Sequence, residues 1–421
     1  MSKKYVYFFS KELTEGNKDL KEALGGKGAA LAEMCNLGLS IPSGFTITTE
    51  VCSLYHQNKK QFPPGLKEQL EENLDLLEKT LGKKLGEPDD PMLISVRSGA
   101  AVSMPGMMDS ILNLGLNDLS VAGLAKHSNN ERFAYDSYRR FIQMFGDVVL
   151  GIDRDKFEDI LEEHKSKKGV FHDVELNSED LKEVVLKYKK LVKEETGDDF
   201  PQDFKDQLWS SIAAVFDSWN NERAKTYRRL ENITGLPGTA VNVQVMVFGN
   251  LGETSGTGVV FSRNASTGKN EFFAEYLMNA QGEDVVAGIR TPRHIDELKK
   301  QFPEIYKQLL LVKDILEKHY KDMQDIEFTI QEGELFILQA RNGKRTPLAA
   351  IKIAMDMAKE GLISKKEAIM RVNPKQLAYL LHPTINEDQK YEAIATGLAA
   401  SPGSAVGKIV FSPKAAEKRA A

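Results

Sequence analysis

Two short runs, Asp325-Ile326-Glu327-Phe328-Thr329-Ile330 and Leu335-Phe336-Ile337-Leu338-Gln339-Ala340-Arg341, both read with a period of two. Period two marks β-strands whose side chains alternate between a dry face and a wet one. With Glu332-Gly333-Glu334 as a three-residue loop, Ile330 lies opposite Phe336, Phe328 opposite Leu338 and Ile326 opposite Ala340, so one face is wholly apolar. A two-residue loop would mix polar and apolar partners on both faces. The chosen register gathers Asp325, Glu327, Gln339 and Arg341 on the other face. Carboxylates and an amide carbonyl are hard oxygen donors, and a guanidinium forks onto phosphate oxygens. The cluster therefore suits Mg²⁺ with a phosphate. The competing reading is a solvated outer face carrying a surface ion pair.

Upstream of this hairpin, strand character runs from Ala240 to Phe248 and resumes at Val259-Val260-Phe261. Between them, Gly249-Asn250-Leu251-Gly252-Glu253-Thr254-Ser255-Gly256-Thr257-Gly258 is rich in glycine and hydroxyls, so its backbone N–H groups could close over phosphates. A plain hairpin loop is the alternative. The Rossmann fingerprint fails, because Phe261 stands where its last glycine belongs and a strand follows instead of a helix. Segments 132–145, 181–192 and 204–219 place apolar residues at helical spacing, which predicts a helical insert from about Val121 to Leu230. Nearer the N-terminus, Phe45–Thr48 and Met92–Val96 read as strands and Leu66–Leu81 as an amphipathic helix. Arg97, at the end of the second strand and the mouth of the small-residue loop Ser98–Gly106, is placed to fork onto phosphate oxygens or simply to face solvent. Gly25-Gly26-Lys27-Gly28 opens a further helix, Lys27 to Leu37, where free N–H groups, the dipole and the Lys27 charge favour an anion, a plain glycine-opened helix being the alternative. It is not a Walker A loop, since Lys21 replaces the first glycine and Gly28 the Ser/Thr.

A chain of 421 residues is too long for one core and predicts two to four domains or subdomains. Hydrophobic residues at 41% and charged residues at 28% exclude a largely disordered chain. A net charge of −5 gives no basic bias for a nucleic-acid partner. Two cysteines, Cys35 and Cys52, support neither a disulfide framework nor a Cys-based zinc site. No run approaches the ~20 apolar residues needed to span a bilayer, and none follows Met1 as a signal peptide would. A cytoplasmic setting, or an organelle resembling it, is expected. The seven histidines have neither metal spacing nor a triad context.

The order of these motifs is more specific than any one of them. Leu24–Met34, Ser95–Ala100, Met104–Asp109, Gln244–Gly249, Gly252–Gly258, Asn279–Gly288, Asp325–Phe328 and Leu338–Arg341 together resemble the N-terminal part of the pyruvate, phosphate dikinase family. The resemblance implies an α+β fold with an ATP-grasp-type nucleotide-binding domain. Its subdomains would cover 1–120 and 233–344, with the helical insert at 121–232, a helical linker at 345–398 and the truncated start of a swivelling domain at 399–421. It also implies that Lys27, Arg97 and Arg341 hold ATP phosphates, with Gly106 and Ser110 beside them. Gln244, Met246 and Val247 would line the adenine pocket. Thr254, Ser255, Gly256, Thr257 and Gly258 would form the phosphate-covering loop. Glu327 and Gln339 would hold Mg²⁺, with Asp325 nearby.

The family reaction, ATP + pyruvate + phosphate giving AMP + phosphoenolpyruvate + diphosphate, passes through a carrier histidine in a Gly-Gly-x-Thr-Ser-His setting. None of the seven histidines stands in that setting. The expectation is therefore an N-terminal fragment that binds ATP and phosphate, meets pyruvate only through a missing C-terminal part and is inactive alone in the full reaction. The resemblance also implies a homodimer for the complete enzyme. Two alternatives are a phosphoenolpyruvate synthase-type ATP domain, which the Asn279–Asp284 run disfavours, and a non-catalytic nucleotide-binding or docking module.

Overall fold

The computed structural model describes residues 3–104, 106–287, 291–374, 407–410 and 419. Strands β1 (Val6–Phe9), β2 (Gly44–Ile47), β3 (Ile94–Gly99), β4 (Ser110–Leu114) and β5 (Ala240–Val245) form one sheet in the order β1-β2-β5-β3-β4. Strands β6 (Gly256–Phe261), β7 (Phe273–Met278), β8 (Arg293–His294), β9 (Gln324–Gln331) and β10 (Glu334–Asn342) form a second, ordered β10-β9-β6-β7-β8. Helices α1 (Lys21–Asn36), α2 (Thr49–Gln57) and α3 (Leu66–Leu81) belong to the first part of the chain. The insert comprises α4 (Ser120–Ser128), α5 (Glu131–Val148), α6 (Arg154–Lys168), α7 (Ser178–Thr196), α8 (Phe204–Ser218) and α9 (Glu222–Leu230). After it come α10 (Gly282–Ala287), α11 (Ile295–Gln301), α12 (Pro303–Tyr320), α13 (Pro347–Lys359) and α14 (Lys365–Arg371). Among the described residues, no helix is long and apolar enough to cross a membrane. The α+β class is as expected, and β5 differs in allegiance: it is the central strand of the first sheet.

The first sheet has two unlike faces because its strands alternate strictly. Phe45 and Ile47 of β2, Val241 and Val243 of β5, and Ile94 and Val96 of β3 point into a core they share with Phe141 and Phe145 of α5 and Ile212 and Phe216 of α8. The insert is thus the hydrophobic cover of this sheet. The opposite face carries Thr46, Asn242, Gln244, Ser95 and Arg97. Register sets Thr46 opposite Asn242, Asn242 opposite Arg97, and Arg97 opposite Ser110, one polar row across four strands.

The chain divides into two compact units. The first is Met1–Val259, Glu275–Val312 and Ile326–Arg341; the second is Val260–Ala274, Lys313–Asp325 and Asn342–Ala421. In the second unit, Met323, Ala349, Ile353, Ala354 and Met357 form a small core. Arg263 is fully buried there, with Nη2 within 2.6 Å of Glu317 Oε1, and it also pairs with Glu360.

The hairpin departs from the expected loop. Glu332 (φ 50°) and Gly333 (φ 84°) make a two-residue turn, the type whose twist suits a hairpin, and β10 starts at Glu334. At the far end, Gly343 N–H donates to Met323 O at 2.9 Å. From Gln331 back to Met323 is eight residues and from Glu334 on to Gly343 is nine, so β10 carries one extra residue. Its burial alternates at Leu335 and Ile337, slips at half-buried Leu338 and Gln339, and resumes at Ala340. The slip locates a β-bulge there. Leu335 and Ile337, not Phe336 and Leu338, are therefore the buried residues near the turn. The bulge restores the expected pairing for Glu327 and Gln339.

The helix predicted over Lys27 to Leu37 extends back to Lys21 across a kink at Gly25. At the other end, the expected helical linker at 345–398 is seen as α13 and α14, and its continuation past residue 374 lies outside the described residues. So does most of the expected swivelling-domain start at 399–421, of which residues 407–410 are described and form no strand.

Candidate functional site

Lys27 owes its position to glycines. Gly25 has φ +69°, and a Cβ there would lie 1.7 Å from Gly99 O; a Cβ on Gly28 would meet Thr46 Cγ2 at 2.7 Å. Only a glycine helix can approach the polar face of the first sheet this closely. Gly26 N–H donates to Ala100 O at 2.9 Å, so this amide is already taken up by protein. The glycine motif serves close packing, and it is the Lys27 side chain that is delivered to the site.

Arg97 lies inside β3, two residues before its end, and not at the strand terminus expected from sequence. Its Nη2 stands 4.0 Å from Glu327 Oε2 on β9. Arg341 Nη2 of β10 stands 3.8 Å from Glu327 Oε1, and Gln339 Nε2 donates to that same oxygen at 3.2 Å. Arg97 and Arg341 thus face one carboxylate, and the Lys27 amine lies within electrostatic reach of all three groups. Burial pulls the Lys27 amine down to about 7, Arg97 and Arg341 push the same way, and Glu327 alone opposes them. With Lys27 protonated the four groups carry a formal +2, a charge that a polyanion would neutralise. Asp325, two residues before Glu327 on β9, is buried and belongs to the second unit.

The remaining expected residues are placed as follows. Ser110 opens β4 directly opposite Arg97, and Gly106 (φ +70°) lies in the connection before it. Gln244 is buried in β5 with its Nε2 donating to Pro42 O at 3.0 Å. Met246 and Val247 follow β5 and are half-buried, Met246 N–H donating to Leu93 O at 2.8 Å.

The expected phosphate-covering loop Thr254–Gly258 runs into a strand at Gly256. Thr254 is exposed, whereas Gly256, Thr257 and Gly258 already belong to buried β6. Thr257 Oγ1 donates to Phe328 O at 3.0 Å, which ties it to β9. Ser255 is buried, and its Oγ accepts from Glu332 N–H at 3.0 Å, while Gly333 N–H donates to Thr254 O at 3.0 Å. The hairpin turn therefore anchors the loop's base.

Sequence reasoning singled out neither Thr46 nor Asn242, which lie behind Lys27 and Arg97. Their signal was present in Val241-Asn242-Val243-Gln244-Val245, where polar residues occupy every second position of a buried strand. As to a metal, one carboxylate and one amide oxygen are at hand. Among the described residues no group of three or more His, Cys, Asp or Glu could hold one.

A sequence profile described as "Pyruvate phosphate dikinase, AMP/ATP-binding domain" matches residues 21–61, 56–313 and 299–362. The chain is 55% identical over 418 residues to a chloroplastic pyruvate, phosphate dikinase of Flaveria trinervia, covering 99% of this chain and 44% of that protein. A chloroplastic pyruvate, phosphate dikinase 1 of Arabidopsis thaliana is 55% identical over 419 residues, covering 99% and 43%. Pyruvate, phosphate dikinase 2 of Zea mays is 54% identical over 418 residues, covering 99% and 47%. The chain thus spans less than half the length of these relatives. By this match it belongs to the pyruvate phosphate dikinase family, as its AMP/ATP-binding domain.

Proposed function

We propose that the first unit binds ATP with Mg²⁺ on an ATP-grasp-type frame and presents its terminal two phosphoryl groups to a carrier histidine outside these 421 residues. Phosphate and pyruvate would be the other substrates of the whole reaction, and a homodimer its assembly. The observation that carries this reading is the convergence of Lys27, Arg97 and Arg341 on Glu327. Three cations around one carboxylate leave charge for a triphosphate to neutralise, and in phosphoryl transfer the protein's share is positioning and charge neutralisation. Gly106 and Ser110 would flank the phosphates; Gln244, Met246 and Val247 would border the base. Residues 249–255, with Glu253 and Thr254 exposed, would cover the phosphates.

Glu327 and Gln339 fit Mg²⁺ as two hard oxygen donors to an ion that keeps phosphate oxygens and water as its other ligands. When bound, the ion would neutralise phosphate charge. Because Arg97 and Arg341 already face Glu327, Mg²⁺ alone should be held weakly and should enter with the nucleotide.

Calorimetry of the chain with ATP and Mg²⁺ tests the proposal. Binding is expected with ATP present, and none with Mg²⁺ alone. Lys27→Ala and Arg97→Ala should each weaken ATP by ~1.5–3 kcal/mol, the worth of a charge-assisted contact, with the fold retained. No heat and no thermal shift at millimolar ATP would sink the reading.

A further inference from the structure

Behind the cations lies a buried polar pair to which the nucleotide reading assigns no task. Thr46 is 1% exposed and Asn242 0%. Thr46 Oγ1 donates to Asn242 Oδ1 at 2.9 Å, and Asn242 Nδ2 donates at 3.4 Å to the carbonyl of Arg97, directly opposite it in register. Helix α1 rests on the same two side chains. A Cβ on Gly28, the residue after Lys27, would lie 2.8 Å from both Thr46 Oγ1 and Asn242 Oδ1. A Cβ on Gly99 would meet Asn242 Nδ2 at 2.5 Å and Lys27 Cβ at 3.4 Å. One pair therefore touches both the strand that carries Arg97 and the helical turn that carries Lys27.

Packing alone does not ask for polarity here. The other face of the same strands fills its row with Phe45, Val243 and Val96. A buried amide and hydroxyl cost free energy unless bonded, and their bonds fix a direction and a spacing that apolar contacts leave loose.

We infer that Thr46 and Asn242 are positioning residues that set the separation of the Lys27 amine and the Arg97 guanidinium, and thereby the site's preference for a polyphosphate chain over a single phosphate. The inference rests on the ATP reading above. Neither residue is required to touch the ligand. The Thr46 hydroxyl fixes the orientation of the Asn242 amide, the amide holds the Arg97 backbone, and the pair forms the floor beneath Gly28.

The test compares ATP with AMP, each with Mg²⁺, by calorimetry on the full chain, with the melting temperature of every variant recorded. Thr46→Val keeps volume and removes the hydroxyl. ATP affinity should fall about threefold to tenfold, as for a lost hydrogen bond, while AMP affinity changes less than about twofold. Thr46→Ser should restore the ATP to AMP ratio. In a Lys27→Ala background, Thr46→Val should weaken ATP less than it does alone, because one of the two contacts it positions is gone. Should Thr46→Val not fold, Asn242→Ser is to show the same change of ratio. Equal losses for both nucleotides, full additivity with Lys27→Ala, or an unchanged ratio in a folded variant would each reduce the pair to a structural role and overturn the inference. An unsubstituted chain that takes neither nucleotide overturns the ATP reading and this inference with it; binding with an unchanged ratio overturns this inference alone.

Discussion

Lys27 is the residue at which electrostatics and packing meet. Its ammonium is disfavoured by burial and by Arg97, which pull its affinity for that proton down to about 7. A triphosphate brought beside it reverses the balance. ATP binding above pH 7 should therefore take up a proton, approaching one per site near pH 8–9 and vanishing below about pH 6. Calorimetry in buffers of different ionisation enthalpy reads this directly, and zero uptake at pH 8 would refute it. The sign for stability follows. An unfolded lysine keeps its proton to about 10.5, so between pH 7 and 10.5 the unfolded chain binds more protons and stability rises with pH. Below 7 both states are protonated and the burial cost is present in full. Lys27→Met should raise the melting temperature of the nucleotide-free chain more at pH 6 than at pH 10. In the sequence, Lys27 and Arg97 stood out because glycines frame the one and an apolar run ends at the other, although β3 in fact continues past Arg97. Thr46 and Asn242 were not singled out, because a buried Asn is meaningful only once its cross-strand partners are known.

At the scale of elements, the β9–β10 hairpin decides how the site is built. The alternation identified both strands and the polar face, but not the turn. A run judged by one dry face assumes an unbroken register, whereas this hairpin turns in two residues and then inserts a bulge beside Glu327. Bulges re-aim side chains, and this one returns Gln339 to Glu327. The turn leaves a cost at Glu332, a non-glycine residue at φ 50°. Asparagine tolerates that conformation better, and Asn-Gly is the favoured pair for such turns. Glu332→Asn should therefore stabilise the chain by about 0.5–1 kcal/mol, keeping the N–H bond to Ser255 Oγ. Chemical denaturation measures it; a loss of stability would mean that the Glu332 carboxylate makes a contact outweighing the backbone gain. The helical insert was the most legible element of all, since long runs at a 3.6 period admit few other readings. Its task as the cover of the first sheet's apolar face was not, because periodicity names a buried stripe without naming what buries it.

For the whole molecule, the match to less than half of its relatives' length bears on activity. Pyrophosphoryl transfer needs a nucleophile held in line, and holding it there supplies much of the rate. No histidine of this chain stands in the carrier setting. With Mg²⁺, ATP, phosphate and pyruvate, the 421-residue chain should form AMP at no more than the background rate, followed by chromatography. Multiple-turnover, pyruvate-dependent AMP would contradict this. Sheet order was beyond sequence reasoning, because which strand a segment joins is a non-local fact. The central place of β5 has a consequence for the nascent protein. As the chain leaves the ribosome, β2 and β3 are complete by residue 99, yet the strand that belongs between them ends at Val245. At ~5–20 residues per second, their facing edges wait roughly 7–30 s while the insert is translated. Unpaired edges are templates for pairing with other chains. The interval before β5 emerges is thus the window in which newly made copies are most exposed to aggregation and have most use for a chaperone.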